Sequence, residues 1–314
     1  MIDVNTQKIF SAEIKSLFNS GKYDELEKKA KEFRAKKSRF DDGLFKLPYF
    51  YIALASPEEK SDKNYEKLFS NVKQWSKKFP GSITQKIAEG TIWIEYAWFA
   101  RGSGYTDTVS EQNWNVFYER IQKAYDILSK PLKSKKDDCP ERYYALLIIA
   151  KAQGWDRSRY ERLFSEAVAF EPAYHRYYTE KASYLAPRWY GEKGEWQKFA
   201  EEAVKLTPPG EGMSIYTRIL WSMWNLGEWK DFKEAGISWQ KMKQGFFDIK
   251  KNYPNSRWNL NKFANFALYA NDRETMKALF AEIGDNPYPE AWLNPKIYSQ
   301  IRPLVMEKNL AQPK

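Results

Sequence analysis

Gly21-Lys22-Tyr23-Asp24-Glu25-Leu26 recurs twice in altered form, as Gly194-Glu195-Trp196-Gln197-Lys198-Phe199 and as Gly227-Glu228-Trp229-Lys230-Asp231-Phe232. Each phrase is a glycine, one residue, an aromatic, two polar residues and an apolar one. A glycine just before an amphipathic helix suits the turn between two paired antiparallel helices, because it closes the first helix in a left-handed conformation without a Cβ clash. The aromatic is then expected to pack back onto the helix just ended. Repetition of such a unit predicts an all-α protein built from stacked helical hairpins.

The rest of the chain has the same period. Tyr65, Leu68, Phe69, Val72, Trp75 and Phe79 lie three or four residues apart with polar residues between them, an apolar stripe along a helix. No stretch alternates with period two for long, and the one hairpin-like dipeptide, Asp42-Gly43, sits beside helical sequence. The spacing predicts helices near 6–19, 22–37, 44–55, 61–79, 83–100, 110–130, 140–153, 156–170, 174–186, 195–206, 212–226, 229–251, 256–270, 272–284 and 294–309. They are expected to form one domain over 1–314, with N-terminal hairpins (1–79), a central region (80–232) and C-terminal helices (233–314). The polar connector 130–138 is the expected place for a change in packing.

Two helices match each other closely. Tyr160-x-x-Leu163-Phe164-x-x-Ala167-Val168 aligns with Trp196-x-x-Phe199-Ala200-x-x-Ala203-Val204, and Pro172 and Pro208 each follow the aromatic by 12 residues. The offset of 36 is in the range of helix-turn-helix repeats. Each proline stops its helix, because the residue before it avoids the helical region. The alanine five residues before the proline resembles the tetratricopeptide repeat. Gly194, only 14 residues before Pro208, lies about a turn closer than that repeat places it, and spacing elsewhere is irregular. The expectation is a degenerate, tetratricopeptide-like solenoid.

Composition narrows the chemistry. The 314 residues include one cysteine, Cys139, and one histidine, His175. That excludes an internal disulfide and a cysteine or multi-histidine metal cage. Acids beside Cys139 oppose a thiolate, and a lone His175 at a helix start reads as a surface or hydrogen-bonded residue. No cofactor is expected. The net charge of +10 sits on the ends: 17 Lys+Arg against 12 Asp+Glu in 1–79, 13 against 8 in 233–314, and 21 against 21 between. This reads as a solvated lysine-rich surface, without a specific nucleic-acid partner. Trp221 and Trp224, three apart on one helix, read as core. No apolar run is long enough to span a membrane, and the first residues lack a signal-peptide pattern. The chain as it stands reads as cytoplasmic, or as periplasmic or secreted if a leader has been removed.

Two segments interrupt the helical pattern. One is Trp98-Phe99-Ala100-Arg101-Gly102-Ser103-Gly104-Tyr105-Thr106-Asp107-Thr108-Val109, where a helix ends and two glycines open a loop. The other is Leu185-Ala186-Pro187-Arg188-Trp189-Tyr190-Gly191-Glu192-Lys193-Gly194. The glycine loop lacks the strand and the Lys-Ser or Lys-Thr of a phosphate loop. Together with Gln153-Gly154-Trp155, Glu171-Pro172-Ala173-Tyr174 and Gly194-Glu195-Trp196-x-x-Phe199-Ala200, these words resemble a bacterial domain family of unknown function, over roughly residues 75–230. Tyr190 stands where that family more often has glycine. The resemblance implies a tetratricopeptide-like fold and a bacterial origin, and no reaction. It singles out Arg101, Gly102, Gly104, Arg188, Trp189 and Gly191.

The functional expectation is a non-enzymatic scaffold that binds another protein or peptide, with Trp98, Arg101, Gly102, Gly104, Arg188, Trp189 and Gly191 as the candidate surface. Arginine offers a planar fork and tryptophan a large contact area at low entropy cost. The alternative is a helical enzyme or carbohydrate-binding protein that uses tryptophans and the carboxylates Glu89, Glu95 and Asp107, since paired carboxylates cleave glycosidic bonds.

Overall fold

The computed structural model describes residues 3–102, 104, 108–132, 138–292, 294 and 296–306. Fifteen α-helices and no strand occur among them, the one β-feature being an isolated antiparallel bridge between Arg39 and Phe45. The chain divides into two compact units, where the sequence suggests a single array. The first holds residues 7–39 and 45–190, the second residues 1–6, 40–44 and 191–314. The division falls at Tyr190 and Gly191. Most of the connector expected to mark a packing change, 133–137, lies outside the described residues.

In the first unit the helices are α1 (Asp3–Asn19, whose first turn belongs to the second unit), α2 (Tyr23–Lys36), α3 (Lys46–Ala55), α4 (Asp62–Lys78), α5 (Ile83–Arg101), α6 (Glu111–Leu128), α7 (Pro140–Ala152), α8 (Arg157–Phe170) and α9 (His175–Tyr184). Several starts have a local cause. Ser82, Ser110 and Asp156 accept the amide protons of Gln85, Asn113 and Arg159 through their side chains, satisfying donors that a helix leaves unpaired. Pro140 opens α7, where its fixed φ fits and its missing N–H costs nothing. From α4 to α9 each helix packs on the next, α2 packs on α3, and α3 also packs on α5, α5 on α7, and α7 on α9. The contacts of α7 with both α5 and α9 hold these three helices together.

The second unit carries α10 (Glu195–Ala203), α11 (Ser214–Asn225), α12 (Trp239–Asn252), α13 (Arg257–Tyr269), α14 (Arg273–Ile283) and α15 (Lys296–Met306). All three glycines of the repeated phrase have positive φ. After Gly227 the aromatic packs back as expected: buried Trp229 donates its indole N–H to the Leu220 carbonyl of α11 at 2.8 Å. The helix expected over 229–251 is shorter, however. α12 begins only at Trp239, because Gly236 turns the chain with φ 64° and Ser238 caps the next start. Residues 40–44 form a tight turn. There Gly43 has φ 85°, and the Asp42 carbonyl accepts from Arg218 Nη2 and Asn259 Nδ2, both at 3.0 Å.

Candidate functional site

The two irregular segments meet at Trp98 and Trp189, both in the first unit. Trp98, on the last turn of α5, and Trp189, just after α9, are edge to face with ring centroids 6.3 Å apart. On one side of Trp98 lies Arg101, its guanidinium 5.6 Å from the Trp98 ring and 5.0 Å from Trp114 of α6. Arg101 Nη1 donates to the carbonyls of Gly102 at 3.2 Å and Gly104 at 3.0 Å. Its Nε is buried without a hydrogen-bond partner among the described residues. The arginine thus bonds the carbonyls of Gly102 and Gly104 while lying against two indoles, and no acid among the described residues bonds it. Exposed Tyr118 stacks on Trp114 at 5.5 Å and extends the aromatic surface.

Beneath Trp189 lies Lys151 of α7, its Nζ 4.9 Å from the ring. Lys151 is buried, its Nζ ion-paired with Glu180 Oε1 at 2.7 Å and donating to Ser183 Oγ at 3.0 Å. Tyr190 anchors the same segment, donating its hydroxyl proton to the Lys151 carbonyl at 2.9 Å. Tyr190 thus tethers the second segment to α7.

Of the expected surface, Trp98, Arg101 and Trp189 form one cluster. Gly102 caps α5 with φ 75° and is exposed, as is Gly104. Arg188 is exposed, and Gly191, where the second unit begins, is half-buried. The carboxylates of the alternative do not assemble comparably. Glu89 accepts from Gln85 Nε2 at 2.8 Å, and Glu95, its carboxyl pushed up by burial, follows six residues later, about 120° around the helix. Asp107 lies outside the described residues. No group of metal-ligating side chains occurs among the described residues.

Cys139 is fully buried as the residue before Pro140. Burial is the main force pushing its thiol up to about 11, with nearby Arg34 opposing. The direction agrees with the sequence, but the cause is desolvation rather than acidic neighbours. His175 is buried, not a surface residue, and meets Phe45 edge-on at 6.3 Å. A cleft of about 640 Å³ in the first unit is lined by Lys31, Arg34, Phe45, Asp138, Phe170 and Glu171. Its acids are already paired, Glu171 with Lys37 at 2.7 Å and Asp138 with Arg142 at 2.9 Å.

Sequence patterning misplaces Trp221 and Trp224. Both are half-buried and surround a lysine, Lys262 of α13. The signal was present in Trp258-x-x-x-Lys262-x-x-x-Phe266, a charge in the middle of an apolar helical stripe.

No protein-family model and no curated protein matches the chain. The likeness to the bacterial family of unknown function rests on the quoted words alone. No helix among the described residues is long and apolar enough to cross a membrane.

Proposed function

We propose that the chain is a non-enzymatic, tetratricopeptide-like scaffold that binds another protein or a peptide through the surface around Trp98, Arg101 and Trp189. One observation carries this reading: Arg101 lies between two half-exposed indoles, bonded among the described residues to backbone carbonyls alone, with exposed Tyr118 stacked on one of those indoles. Tryptophan, tyrosine and arginine dominate the energetics of protein interfaces, because they offer area and directional donors while losing little side-chain freedom. Loops held on a rigid scaffold are where recognition is usually placed, and here three packed helices hold both segments.

The electrostatics select the partner. Lys151 is paired with Glu180, and no acid among the described residues bonds Arg101. A guanidinium flanked by rings suits a carboxylate approached over an apolar residue. The preferred partner segment therefore carries an acidic side chain next to an aromatic or aliphatic one. Capture of a partner by the parent protein, and its loss on replacing Arg101 or Arg188 without loss of stability, tests the reading.

A further inference from the structure

Lys262 is the least reconciled charge in the second unit. The residue is 7% exposed. Its Nζ lies 5.0 Å from the Trp258 ring, 5.8 Å from Trp221 and 6.0 Å from Trp224. Among the described residues no oxygen accepts from it and no carboxylate pairs with it. An ammonium has three donors and no acceptor capacity. Indole faces attract it but satisfy none of those donors. A buried charge is ordinarily paired, because desolvation costs more than such contacts return.

The polar groups around it are spoken for. On α13, Asn259 donates to the Asp42 carbonyl and Asn265 to the Ala291 carbonyl, each at 3.0 Å. Asn261 donates to the Arg257 carbonyl and accepts from Tyr288 N and Trp292 Nε1. Lys262 is thus the uncommitted donor in an aromatic setting, and that setting opens to solvent. Trp221, Trp224 and Trp258 are half-exposed, and at the C-terminal ends of α11 and α13 lie Leu226 and Tyr269, 42% and 40% exposed.

We propose that this cluster is a binding site for a flat-ring organic oxyanion, a carboxylate or phosphate borne on an aromatic body, with the anion on Lys262 Nζ and the ring against the half-exposed indoles. The walls decide the class. A cation is repelled by Lys262, a bare inorganic ion leaves the indoles unused, and a neutral ring leaves the ammonium unpaired. Burial lowers the Lys262 pKa to about 8, so at pH 7 the ammonium still outnumbers the amine about ten to one.

The test is isothermal titration of the full chain at pH 7 with four probes: 2-naphthoate, 2-naphthyl phosphate, 2-naphthamide and inorganic phosphate. The site predicts that at least one naphthyl anion binds about tenfold or more tighter than both the amide and inorganic phosphate. The tighter anion identifies the oxyanion. Lys262→Met loses that affinity about tenfold or more, Lys262→Arg keeps most of it, and Trp224→Leu weakens it on the half-exposed side. Equal binding of naphthoate, naphthyl phosphate and naphthamide overturns the proposal. So does parent-like affinity in Lys262→Met with an unchanged helical spectrum. If Lys262→Met does not fold, parent-like affinity in Trp224→Leu overturns it instead.

Discussion

Trp98 and Trp189 meet edge to face at 6.3 Å, joining the end of α5 to the segment after α9. Such a pair contributes about 0.5–1.5 kcal/mol beyond the area it buries. A double-mutant cycle with Trp98→Leu and Trp189→Leu, read by denaturant unfolding, should give a coupling energy in that range. Strict additivity would mean that the rings touch without supporting each other.

Gly43 predicts a large local effect. Its φ of 85° disfavours any side chain, and a Cβ at this position would collide with the Tyr253 ring. Both backbone strain and overpacking therefore oppose Gly43→Ala. The expected loss of stability is on the order of 2–4 kcal/mol, measured by urea unfolding. A loss below about 0.5 kcal/mol, the range of neutral surface changes, would contradict this geometry.

Lys262 gives stability a pH dependence of definite sign. Its folded pKa, lowered by desolvation to about 8, lies below the ordinary 10.5. Below pH 8 both folded and unfolded states hold the proton, so nothing changes. Between about 8 and 10.5 the folded state has released it and the unfolded state has not. Unfolding then takes up a proton, and stability rises with pH. The rise attributable to this residue is on the order of 1–2 kcal/mol, less than the full shift because water still screens the site. Buried tyrosines such as Tyr51 and Tyr160, whose pKa values burial raises, remove stability above pH 10. The comparison therefore belongs between pH 7 and 9.5. The parent should gain stability over that window relative to Lys262→Met, and parallel curves would show that Lys262 does not titrate there.

The helices were legible because their apolar stripes keep a helical period, and their ends because serine, aspartate, glycine and proline act locally. The start of α12 is not legible from spacing: Trp229 and Phe232 are three apart, as on a helix, yet they pack in a turn that Gly236 prolongs. The words around Arg101 and Trp189 stood out in the sequence. Their juxtaposition did not, because it depends on how α5, α7 and α9 stack. Lys262 escaped notice because a lysine is ordinarily read as surface, and three indoles from two helices had to converge before its burial became visible.

Cys139 should be chemically silent in the folded protein. Its thiol is fully buried and held near 11 by desolvation, and the thiolate is the reactive form. At pH 8 a colorimetric disulfide reagent should titrate one thiol only after denaturation, with native labelling slower by about a hundredfold or more. Rapid labelling of the native protein would place the sulfur at the surface.

The central claim is that the Arg101 and Arg188 surface recognises a partner rather than fastening helices. Arg101→Ala and Arg188→Ala, compared with the parent in affinity capture from native cells and in thermal melting, separate the two roles. A recognition surface predicts that a partner held by the parent is lost from both variants, while each melts within about 2 °C of the parent, as for a change below about 1 kcal/mol. Retention of that partner by both variants would contradict the account, as would a fall in melting temperature of about 4 °C or more, the mark of a lost structural contact worth 1–3 kcal/mol.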